Sequence, residues 1–121
     1  MPRYLLTLGG ADLDKRASNP DFAQSMYEKY AEWIAELKAQ GHYVRSYRLK
    51  DHTGARLSVR GGQVMEGPFV ESKEAAGGVY VIRAPSLQAA VDLARTCPTL
   101  VLQNGYVDLR LVDEGHATDD D

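Results

Sequence analysis

Met65-Glu66-Gly67-Pro68-Phe69-Val70-Glu71-Ser72-Lys73-Glu74-Ala75-Ala76-Gly77-Gly78, followed at once by Val79-Tyr80-Val81-Ile82, is the stretch on which the fold turns. Its first part joins a Gly-Pro turn, an aromatic directly after it, three carboxylates with a lysine among them, and a Gly-Gly pair. Glycine reaches backbone angles and close approaches closed to other residues. Proline fixes its own φ and restricts the residue before it. Such a loop has a defined shape, and defined charged loops are where sites tend to sit. Its second part, Val79–Ile82, is a near-continuous apolar run, the pattern of a central strand covered on both faces.

Upstream, Arg3 to Leu8 reads as a strand with Tyr4, Leu6 and Leu8 on one face and Leu5 and Thr7 on the other. Gly9 to Ser18 reads as a polar loop. Asn19-Pro20-Asp21 then starts a helix: an N-cap, a proline suited to the first helical position, and an acid at the positive end of the dipole. Ala23, Met26, Tyr27, Tyr30, Trp33, Ile34 and Leu37 follow the rhythm of one helix face, and Gly41 is the stop. The helix is therefore expected over 20–40. His42 to Leu49 reads as a strand. Two short strands follow, Ala55–Val59 and Gln63–Glu66, joined by the Arg60-Gly61-Gly62 turn.

Downstream, Ser86 is the N-cap of a second helix whose buried stripe is expected to be Leu87, Ala90, Val91, Ala94 and Cys97, with Pro98 ending it. Gly105 to Val112 alternates as a closing strand. The order is strand, helix, strand with a hairpin extension, strand, helix, strand. That is a ferredoxin-like β-α-β-β-α-β arrangement, an α+β sandwich with an extra β-hairpin. Two helices cover one face of such a sheet. The first strand and Val79–Ile82 are apolar on both faces, so a sheet-to-sheet homodimer is expected to cover the other.

Length allows one domain with a real core: 121 residues, expected as a domain over 1–113 and an acidic, disordered tail over 114–121. A net charge of −3 argues against nucleic acid or an anionic membrane as partner, since both call for a basic face. The single cysteine, Cys97, allows no internal disulfide, so the expected location is cytoplasmic. The chain enters a strand pattern at once with no long apolar segment, so neither a signal peptide nor a membrane span is expected.

Each candidate site residue has two readings. His42, just past the first helix, is either a general base or a cation stabilised by the helix dipole. Glu66, Glu71 and Glu74 either include a proton-transferring carboxylate or form a loop clamp with Lys73 and backbone N–H groups. Lys73 would bind an anion or tune a neighbour. Phe69 either lines a pocket or plugs the core beneath the loop. Tyr30 and Tyr47 either present phenols to a ligand or, for Tyr30 on the helix stripe, serve the core with a satisfied hydroxyl. No metal-ligand spacing and no phosphate-binding glycine fingerprint is visible, so no metal and no cofactor is expected. Cys97 reads as a buried small hydrophobe.

The run Glu66-Gly67-Pro68-Phe69, then Glu71, Lys73-Glu74, Gly77-Gly78 and Val79–Ile82, resembles the YCII-related family in its DGPF subgroup. The likeness extends through Tyr4–Leu8, Ala39–Val44, Ser86–Leu100 and Gly105–Val112, and so covers roughly 3–112. Glu66 stands where the subgroup signature has aspartate, the same charge on a longer arm. The resemblance implies a dimeric α+β barrel. A His and Asp pair has been suggested as catalytic in the wider family, but its helix histidine aligns with Tyr30 here. Subgroup members are often encoded beside extracytoplasmic-function sigma factors, which suggests a regulatory context. Two functions are therefore expected. One is a small-molecule enzyme using His42 or Glu66 for lyase- or isomerase-like acid–base chemistry in a cleft beside the Glu66–Gly78 loop. The other is a non-catalytic homodimer that binds a small organic ligand or regulates a partner.

Overall fold

The structure is a computed structural model that describes residues 1–10, 19–50, 53–68 and 76–116. The elements run β1 (Arg3–Gly9), α1 (Pro20–Ala39), β2 (Tyr43–Arg48), β3 (Ala55–Arg60), β4 (Gln63–Pro68), β5 (Ala76–Arg83), α2 (Leu87–Ala94), a 3-10 turn (Pro98–Val101), β6 (Tyr106–Leu111) and a second 3-10 turn (Glu114–His116). The main sheet is antiparallel in the order β2-β5-β1-β6, the ferredoxin-like order once β3 and β4 are set aside. Those two form a separate two-stranded arm.

Both apolar strands take the centre. β5 lies between β2 and β1, and β1 lies between β5 and β6. On the helix side, Tyr4, Leu6 and Leu8 of β1 meet Tyr80 and Ile82 of β5, all buried, with Leu109 and Val107 of β6 packed beside them. Trp33 and Leu37 of α1 and Ala90 and Ala94 of α2 cover this face. On the other side lie Leu5, Thr7, Val79 and Val81, half-buried or exposed, with neither of the described α-helices over them.

Local chemistry explains the helix ends. The Asn19 side chain accepts hydrogen bonds from the N–H groups of Asp21 and Phe22, both at 3.1 Å. At the other end Gly41 has φ +78°. Its N–H donates to the Lys38 carbonyl and that of His42 to the Leu37 carbonyl, a Schellman closure that glycine makes cheap. Ser86 caps α2 by accepting from the Ala89 N–H at 3.1 Å.

Several expectations need correction. Tyr27 is 66% exposed, because the buried stripe of α1 is narrower than the apolar pattern and Tyr27 falls on its margin. Leu87 is also exposed, as the first helical residue after the cap, turned away from the sheet. α2 stops at Ala94, before Cys97, and Pro98 opens a 3-10 turn rather than simply ending the helix. Cys97 is buried even so. The acidic tail, expected to lack structure, begins with the turn at Glu114–His116. Arg3 holds it there: Nη2 lies 2.6 Å from Glu114 Oε2 and Nε donates to Oε1 at 3.0 Å. The guanidinium's hydrogen bonds hold the Glu114 carboxyl below the usual carboxylate range. Among the described residues, no helix is long and apolar enough to cross a membrane.

Candidate functional site

Several hydroxyl groups gather in one place, beneath α1 and against the helix side of the sheet. The backbone irregularity between Tyr43 and Arg45 is the local cause. It puts Tyr43 and Ser46 on one side of β2, where the Tyr43 hydroxyl and Ser46 Oγ lie 2.6 Å apart. Ser46 pairs with Tyr80 across the strands and hydrogen-bonds its hydroxyl. The Tyr80 ring stacks obliquely on Trp33, with centroids 5.0 Å apart at 51°. Trp33 Nε1 donates to Thr96 Oγ1 at 2.8 Å, and Thr96 Oγ1 donates to the Leu93 carbonyl. One turn earlier on α1, the Tyr30 hydroxyl hydrogen-bonds Thr99 Oγ1 in the 3-10 turn. Cys97 completes the group.

Burial sets the electrostatics. It pushes the Tyr80 phenol well above the ordinary tyrosine value, and nearby Cys97, Tyr30 and Tyr43 push the same way. Burial also pushes the Cys97 thiol up, partly offset by hydrogen bonds with Thr99. Both groups are therefore neutral near pH 7. They donate and accept hydrogen bonds there without carrying charge.

The expected site residues that are described lie apart from one another. Tyr30 belongs to this cluster. Tyr47 lies on the opposite, helix-free side of the sheet, 60% exposed, with its hydroxyl accepting from Arg45 Nη1 at 3.4 Å. The sheet stands between the two phenols. His42 is pinned between α1 and β5: its Nδ1 donates to the Arg83 carbonyl at 2.8 Å, and its own carbonyl accepts from the Arg83 N–H at 2.7 Å. Glu66 lies on the arm, cross-strand from Leu57 and exposed. His42 sits at one end of β2 and the arm departs from the other, roughly 20 Å away. Phe69, Glu71, Lys73 and Glu74 lie outside the described residues. Among the described residues no group of three His, Cys, Asp or Glu is placed to hold a metal ion.

Tyr43, Ser46, Tyr80, Thr96 and Thr99 escaped the sequence reading as site candidates. One signal was present: Tyr80 is the polar tip in an otherwise aliphatic strand, and a buried phenol needs a partner. Its partners are scattered through the chain and meet only in the folded sheet.

No curated protein sequence matches the chain. The YCII-related domain matches residues 12–114, nearly the whole described fold including both helices and five of the six strands. With that match and the architecture above, the chain belongs to the YCII-related domain family.

Proposed function

We propose that this is a YCII-related protein of the DGPF type that works as a homodimeric module binding a small, neutral or weakly polar organic molecule. The observation that carries this reading is the hydroxyl and thiol cluster of Tyr30, Tyr43, Ser46, Tyr80, Cys97 and Thr99. Such a group orients a polar ligand through hydrogen bonds. Tyr80 and Cys97 are both pushed upward, away from pH 7, the wrong direction for proton transfer there. The helix-free side of the sheet supports pairing with a second copy, because Leu5, Val79 and Val81 present apolar surface to it.

A thermal-shift screen of small organic compounds tests the reading. A binder raises the melting temperature by mass action. Tyr30→Phe removes one hydroxyl and keeps the ring, so it should reduce the shift. A shift that survives Tyr30→Phe and Tyr80→Phe but vanishes in His42→Ala or Glu66→Gln would instead support the acid–base enzyme, with its cleft beside the Glu66–Gly78 loop.

A further inference from the structure

The arm formed by β3 and β4 is amphipathic in a way that nothing else in the chain uses. Register places Ala55, Leu57 and Val59 of β3 on the same side as Val64 and Glu66 of β4. The opposite side carries Arg56, Ser58, Arg60, Gln63 and Met65. Apolar alternation of this kind is the mark of a strand pair with one face meant for burial. Yet Leu57, Val59 and Val64 are 67%, 74% and 72% exposed. β3 and β4 pair with each other and rest on no other described element to any large extent. A lone two-stranded hairpin is marginal in water, so this one gains from an external surface.

The chemistry of that surface is constrained. It must be apolar, and it must offer a cation, because Glu66 is set within the apolar side and a carboxylate losing water needs a partner. The helix-free side of the main sheet has this composition. Leu5, Val79 and Val81 form its apolar middle. Arg110 stands beside Leu5, Arg45 beside Val81 and Arg83 at the strand end; among the described residues the acids there are Asp108 opposite Thr7 and Glu114, which Arg3 already holds. We propose that the β3–β4 arm is a clasp for a second copy of this chain, its Leu57–Val59–Val64 side lying on the second copy's helix-free sheet face with Glu66 against the arginine border. Each copy carries both halves, so a two-fold pair forms the contact twice. The basic residues Arg56 and Arg60 then face water on the outside.

The proposal rests on the homodimer reading and extends it to a second element. Sedimentation velocity over a dilution series tests the two separately. Val59→Lys and Glu66→Arg change exposed side chains and leave the core untouched, as far-UV circular dichroism should confirm. Each is expected to raise the dimer Kd at least about tenfold, the equivalent of about 1.4 kcal/mol. Arg110→Glu should weaken pairing too, and Glu66→Arg combined with Arg110→Glu should recover much of it. Hydrogen exchange over 55–66 should slow as dimer accumulates. A dimeric wild type whose Kd is unchanged by Val59→Lys, or whose charge-swapped double variant shows no recovery, overturns the clasp while leaving the homodimer standing. A wild type that is monomeric throughout overturns both.

Discussion

Tyr80 joins two environments in one side chain: a ring stacked on Trp33 and a hydroxyl bonded to Ser46. Its raised pKa leaves the folded chain holding a proton that the unfolded chain has lost at high pH. That stabilisation is complete below the ordinary tyrosine value and declines as pH climbs from there toward the folded value. Cys97 acts with the same sign, starting from the ordinary thiol value. Urea midpoints taken from about pH 8 to about pH 11 should therefore fall, and fall less steeply in Tyr80→Phe. Spectrophotometric titration should lose its last-ionising phenol in the same variant. Gly10 supplies a second test. Its φ is +84° and an added Cβ would lie 2.0 Å from the Asn104 carbonyl oxygen, which is backbone and has nowhere to go. Gly10→Ala should cost at least about 1–2 kcal/mol in urea unfolding. At this scale the sequence is a poor guide. Gly10 reads as an ordinary loop glycine until the turn before β6 is folded against it, and Tyr30 reads as a core aromatic until Thr99 arrives from far along the chain.

Individual elements were more legible, and for local reasons. Asn19 and Pro20 announce α1, Ser86 announces α2, and the alternation of β1 needs no partner to be seen. Boundaries shifted where tertiary contact outweighed pattern. β5 reaches back to Ala76 because β1 offers a partner that far, and α2 stops at Ala94 because Cys97–Thr99 is drawn into the core by a 3-10 turn. The arm is the least supported element, since its side chains lack the cover that the central strands enjoy. Native-state hydrogen exchange at low protein concentration should rank the amides of β1 and β5 slowest and those of β3 and β4 among the fastest. Equal protection across arm and sheet would contradict this ranking.

The whole molecule is a two-layer α+β sandwich with one layer missing its outer cover. That much follows from counting helices against apolar strand faces, which is why the architecture is legible in the sequence. The hydroxyl and thiol cluster is not, because no spacing rule links residues 30, 43, 46, 80, 97 and 99. The uncovered face makes its own prediction. Val81→Arg places a charge at its centre, beside Arg45, without entering the core. Under the proposed pairing of copies, it should lower the sedimentation coefficient relative to wild type at the same concentration, with little change in the circular dichroism spectrum.

The position of β1 has a consequence for how the chain comes into being. β1 is central in the sheet yet far in sequence from both of its neighbours, β5 and β6, and Tyr4 finally pairs with Leu111. Neither edge of β1 can be satisfied until β5 and β6 have been made. Leu6 and Leu8 therefore stay uncovered until those later segments are made, an interval in which an unpaired apolar strand is open to mispairing. Long-range closure of this kind also slows folding relative to a chain of local hairpins. Moving β1 to the C-terminus by circular permutation, where it would emerge directly after β6, should shorten that exposure and speed refolding in stopped-flow measurements.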